Sequence, residues 1–141
     1  MVKGQKLVAK VIIEILGAPK EHVEKTIEIV LAKVKEQAYL KVLSDKIFKA
    51  KKIKKFWGTF AEIDMEVNGV VNLIGFCFDF MPSSIEILEP NNLSMEIQEI
   101  GDLLNDLLAR LHKYDMALKS IRAQNIILSR ELQKLKSSEK E

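Results

Sequence analysis

From Ile97 to Leu135 the apolar residues of this chain recur at spacings of three and four without a slip. The series runs Ile97, Ile100, Leu104, Leu107, Leu111, Tyr114, Leu118, Ile121, Asn125, Leu128, Leu132 and Leu135, with Asn125 as its polar member. A straight α-helix drifts by about 20° per heptad against a seven-residue repeat, so a stripe kept this strict suits helices that wind around one another. The pattern predicts a coiled-coil oligomerisation helix over residues 93–136, with 137–141 as a disordered tail. At about 1.5 Å per residue such a helix is a rod of roughly 65 Å. The other 90 or so residues form a domain with a radius of gyration near 12–13 Å. That domain is too small to bury the rod, which must find another helix.

With Ile97 at heptad position a, the a series is Ile97, Leu104, Leu111, Leu118, Asn125 and Leu132. Position d takes Ile100, Leu107, Tyr114, Ile121, Leu128 and Leu135. A lone Asn at a fixes register and orientation, because two Asn side chains pair only when the helices are aligned. In a parallel pair, Arg110 at g meets Asp115 at e of the other helix, and Glu131 meets Lys136. Exposed pairs of this kind contribute about 0–1 kcal/mol and select orientation more than they stabilise. In this stretch alone the chain resembles leucine zippers. The expected partner is a second copy in a parallel dimer. Leu103 and Leu108 widen the stripe and keep a tetramer open.

Glu89-Pro90-Asn91-Asn92 reads as a turn and divides the chain into a domain at 1–90 and the helix at 93–136. Within the domain, Leu7, Ala9, Val11, Ile13 and Ile15 alternate as one face of a strand. Gly17-Ala18-Pro19 ends it, and Val23, Ile27, Val30, Val34 and Ala38 then recur at helical spacing over about 20–37. A second strand is expected from Tyr39 to about Phe48. A third, Phe56 to Val67, carries Trp57, Thr59, Ala61, Ile63, Met65 and Val67 on one face and Glu62, Asp64 and Glu66 on the other.

Residues 68–81 admit two readings. Asn68-Gly69 suits a hairpin followed by a buried strand. Read as a helix, Val70, Leu73, Ile74, Cys77 and Met81 form one apolar face, and Val71, Gly75 and Phe78 a second. The helix is preferred on topology. With a short strand at Ser84–Leu88 it completes strand–helix–strand–strand–helix–strand, the α+β ferredoxin-like (split βαβ) antiparallel sheet with two helices. Ser94 is the expected N-cap of the long helix.

Composition narrows the function classes. The formal net charge is +2, too small to imply nucleic-acid binding by itself. Cys77 is the single cysteine, which excludes an intrachain disulfide and suits a buried thiol in a reducing compartment. No stretch approaches the roughly 18 apolar residues of a membrane span. A cytoplasmic location follows as the expectation.

Chemistry-bearing patterns are sparse. Lys46 to Lys55 places Lys46, Lys49, Lys51, Lys52, Lys54 and Lys55 within ten residues, followed by Phe56 and Trp57. At a hairpin tip these lysines suit a polyanion contact, with Phe48, Phe56 and Trp57 available for base stacking. They suit a solvated hairpin that discourages edge pairing better, since the patch has no arginine. Glu62, Asp64 and Glu66 suit a solvated sheet face better than a cation site. His22 and His112 read as surface residues, and Asp79 as the solvent edge of a helix. No phosphate loop, nucleophile triad or metal-ligand spacing occurs, so no catalytic residue, metal or cofactor is expected.

The inferred order of elements resembles that of ACT and related ferredoxin-like regulatory domains. That resemblance implies a small effector bound between paired sheet domains. The reading as a whole is a non-enzymatic homo-oligomeric interaction or scaffold protein. An ACT-like sensor and a nucleic-acid or polyanion binder using Lys46–Lys55 are the alternatives.

Overall fold

In the computed structural model, residues 5–140 are described. The chain divides into two compact units between Ser94 and Met95. The first is α+β and ferredoxin-like. Its elements are β1 (Lys6–Gly17), α1 (Lys20–Lys35), β2 (Leu40–Ile47), β3 (Lys51–Ile53), β4 (Phe56–Asn68), α2 (Val70–Phe80) and β5 (Ser84–Glu89). The antiparallel sheet runs β2–β4–β1–β5, and the short β3 also pairs with β4.

Alternation decides which side of the sheet is covered. Leu7, Ala9, Val11 and Ile13 of β1 share the buried face with Thr59, Ala61, Ile63, Met65 and Val67 of β4. α1 presents Ile27, Leu31 and Val34 to this core, and Val23 is buried nearer the start of the helix. Each fully buried aliphatic side chain stabilises by about 1.5–3 kcal/mol, so one unbroken core holds the unit together. α1 ends at Lys35, and Ala38, expected on its apolar face, is exposed in the turn that follows.

Residues 70–80 are a helix, as topology required. The turn before it is set by Gly69 at φ +86°, a left-handed conformation that glycine adopts without a steric penalty. Gly69 N–H donates to the Gln5 carbonyl at 3.0 Å, tying this corner to the lead-in to β1.

The core face of α2 differs from both expected faces. Leu73 and Phe76 are buried, Val70 and Phe80 pack against them, and Met81 is 72% exposed. The helix is turned by roughly a sixth of a revolution from the first of these faces, with each residue adding about 100°. The physical reason is size. Phe76 and Phe80 stack with ring centroids 4.8 Å apart and bury more apolar area than Ile74 and Cys77 do.

The second unit is α3 (Ile97–Glu139), 43 residues long. Its N-cap is Glu96 rather than Ser94. Glu96 and Glu99 form a reciprocal capping box, with Glu96 N–H donating to Glu99 Oε2 at 3.2 Å. Two backbone donors are met at once, which a lone Ser cap does not achieve. The helix continues past Lys136, so residues 137–139, expected in a disordered tail, are helical; Glu141 lies outside the described residues.

Candidate functional sites

No residue of α3 is buried. Ile97, Ile100, Leu104, Leu111, Tyr114, Leu118, Ile121, Leu128, Leu132 and Leu135 are all exposed, and Leu107 is half-covered. Asn125 is exposed within the same stripe. Leu108, Ile126 and Ile127 add exposed apolar surface outside it. Asp115, read from the heptads as a partner for Arg110 of another helix, pairs in its own helix with Lys119 at 2.8 Å. This bond spans one turn and is exposed, so it is cheap to exchange.

In the sheet unit, the lysine-rich segment is distributed over three pieces of structure. Lys46 lies near the end of β2, with its ammonium 4.6 Å from the centroid of Phe48. Lys49 follows β2, Lys51 and Lys52 lie on β3, and Lys54 and Lys55 form the two-residue turn between Ile53 and Phe56. All six lysines are exposed. Thr59, buried in the core, donates from its Oγ1 to the Phe48 carbonyl and anchors the hairpin's base.

The aromatic residues divide between the two faces of the sheet. Trp57 alternates with Thr59 and so lies on the helix side, where the Lys20 ammonium stands 5.2 Å from its ring. Phe48 and Phe60 stack at 4.2 Å with ring planes 19° apart. Trp57 therefore does not share a platform with Phe48, although the sequence places both beside the lysines.

The open face of the sheet carries the acidic row of β4. Glu66 pairs with Lys6 at 3.0 Å and Glu62 with Lys10 at 3.2 Å. Asp64 Oδ2 accepts a hydrogen bond from Ser44 at 2.9 Å, while its Oδ1 is buried without a partner. The Lys10 ammonium is held above its ordinary pKa, first by its hydrogen bond to Glu62 and then by the charges of Asp64, Glu62 and Glu86. This is a laced polar surface. Among the described residues, no cluster of three or more His, Cys, Asp or Glu could hold a metal ion.

A match to a family of proteins spans nearly all of this architecture. The model of the MJ0538 family fits the chain over residues 8–138. The chain belongs to the MJ0538 family. No curated protein and no solved structure matches it. The MJ0538 match crosses the division at Ser94, so the sheet unit and the long helix belong to the family pattern together.

The remaining candidates of this MJ0538-family chain lie apart from one another. His22 is exposed in the first turn of α1, His112 is exposed on α3, and Asp79 is exposed on α2. Cys77 is half-buried, and burial pushes its thiol pKa up, away from the reactive thiolate. A shallow cleft of about 430 Å³ opens between α1 and the Ile47–Ala50 stretch, with Ile27 and Thr59 among its lining residues. Its rim mixes Lys20 and Lys49 with Glu24 and Glu28. No helix among the described residues is long and apolar enough to cross a membrane.

Sequence reading missed the β3 strand and Leu31 and Phe76 as core residues. A three-residue strand of Lys-Lys-Ile has no periodic signal of its own, and only its pairing with Phe56–Gly58 defines it. Phe76 sat between two apolar faces of comparable weight, so periodicity alone could not select it.

Proposed function

We propose that this protein is a non-enzymatic, homo-oligomeric interaction protein, assembled in the cytoplasm as a parallel dimer through a coiled coil of α3. One observation carries the reading. An apolar stripe with an unbroken heptad period lies exposed along a 43-residue helix. Covering a half-exposed Leu stabilises by roughly 2 kcal/mol at about 25 cal/mol per Å² of apolar area. Association costs an estimated 4–15 kcal/mol. Many such residues together outweigh that cost, whereas two or three do not. Asn125 supports a parallel, in-register arrangement, since its amide needs a partner in an otherwise apolar seam. The single thiol of Cys77 supports a reducing compartment.

The test is light scattering on the full chain. The expected particle has twice the 16.1 kDa chain mass. Leu111→Lys with Leu118→Lys should reduce it to a single chain while the sheet unit keeps its β-sheet circular dichroism. A wild-type chain that scatters as a monomer at tens of micromolar would overturn the reading.

A further inference from the structure

We infer that the β3–β4 hairpin is a peripheral docking site for an anionic lipid surface. The proposal stands apart from α3 and holds for one chain or several. It begins with charge. Lys6–Glu66, Lys10–Glu62, Lys20–Glu24 and Lys35–Asp45 are ion pairs within the sheet unit. None uses a hairpin lysine. Even Lys46, in register with Glu62, turns its ammonium to the Phe48 ring while Glu62 bonds Lys10. Glu62 and Glu66 are thus engaged by β1 and Asp64 by Ser44, and the lysines of the tip keep their charge for an outside partner.

The turn adds an independent observation. Lys54 sits at φ +57°, a left-handed conformation that Asn or Gly adopts far more readily than Lys. Two-residue hairpin turns favour Asn-Gly for that reason.

Apolar surface lies beside this charge. Ile53 and Phe56 are opposite each other in the hairpin and are 52% and 49% exposed. Leu16, 63% exposed, pairs with the neighbouring strand at Gly58. Gly58 makes them continuous. A β-carbon there would lie 2.8 Å from Ile53 Cδ1 and 3.6 Å from Leu16 Cδ1, so both side chains drape over the bare glycine. The result is an exposed apolar strip at the end of the sheet with lysines around it.

This combination fits lipid better than a polynucleotide. Bases stack on free aromatic faces. Of the three aromatic residues near the lysines, Phe48 has Phe60 stacked against it and Lys46 over it, and Lys20 stands over Trp57, which leaves Phe56 as a single exposed ring where a run of bases needs several. Leu16 and Ile53 offer no π-face, but aliphatic side chains do enter the boundary between headgroups and acyl chains. A strand continuing across the sheet would also meet Glu62, Asp64 and Glu66. A flat bilayer touching only the tip avoids them.

The experiment is flotation of the full chain with vesicles of phosphatidylglycerol and phosphatidylcholine, against phosphatidylcholine alone. Binding is expected only to the anionic vesicles and should weaken with salt. Each lysine near such a surface strengthens binding by about fivefold. Replacing Lys51, Lys52, Lys54 and Lys55 with Glu should therefore weaken binding at least a hundredfold, and replacing them with Gln somewhat less. Ile53→Ser with Phe56→Ser should weaken it roughly tenfold. Circular dichroism on each variant confirms folding. Absence of binding to anionic vesicles, or binding unaltered in the lysine variants, overturns the proposal. So does a single-stranded oligonucleotide that binds more tightly than the vesicles at equal salt and is indifferent to the Ile53 and Phe56 changes.

Discussion

Lys10 on β1 and Glu62 on β4 meet 3.2 Å apart across the open face of the sheet, while Val11 and Ile63, the next residues along each strand, pair in the core. One pair of strands thus builds a polar lattice and a hydrophobic core from the same alternation. Because the folded protein holds the Lys10 proton more tightly than the unfolded chain does, this contribution is fully present below the ordinary pKa of 10.5. It is lost as the pH rises through the raised folded value. Thermal melts of the wild type should therefore fall above pH 10.5 more steeply than those of Lys10→Met. Identical slopes would show that the pair is not coupled to folding.

Phe76 is fully buried at the centre of α2's core face, whereas Met81 is largely exposed. Phe76→Ala should cost about 3–5 kcal/mol, and Met81→Ala less than about 0.5 kcal/mol. Urea denaturation of both variants checks this. Comparable losses would mean that α2 is turned toward the face the periodicity alone suggested.

Thr59 ties the hairpin to the core by donating to the Phe48 carbonyl. Thr59→Val keeps the shape and removes the donor, at a cost of about 1–3 kcal/mol for the carbonyl left without its partner. Hydrogen exchange should quicken at Lys51–Gly58 before it does so elsewhere in the sheet. Uniform quickening would show that Thr59 acts only through packing.

Cys77 is half-buried, with its thiol pKa raised above the ordinary 9.0 by burial. At pH 8 iodoacetamide should alkylate it more slowly than a free thiol, because the thiolate is the nucleophile. Denaturant should abolish the difference. Equal rates in native buffer would reveal local opening of α2.

Asn125 lies at an a position in the stripe of α3. If α3 pairs in parallel, Asn125→Leu should raise the melting temperature and broaden the stoichiometry, since the Asn sacrifices stability for register. Light scattering that reports the same single species, with no gain in stability, would remove Asn125 as the specifying residue.

The strand alternation of Leu7–Ile13 and Thr59–Val67, the helical spacing of Val23–Val34 and the heptads of α3 were all legible in the sequence. Each repeats one local geometry over many residues, and repetition is what periodicity detects. For the same reason the six hairpin lysines could be seen as a cluster.

Tertiary structure decided the rest. It turned α2 so that Phe76 faced inward, because filling the core with the largest side chains outweighs a near tie between helix faces. It made a strand of Lys51–Ile53, which exists only through its partner on β4. It separated Trp57 from Phe48 and set the tip lysines opposite Phe56–Gly58, where the strand carries no carboxylate, while Glu62 and Glu66 farther along β4 pair with Lys10 and Lys6. Local sequence sets what each segment prefers. Which charges are spent and which stay free depends on neighbours far apart in the chain, and only the assembled sheet brings those neighbours together.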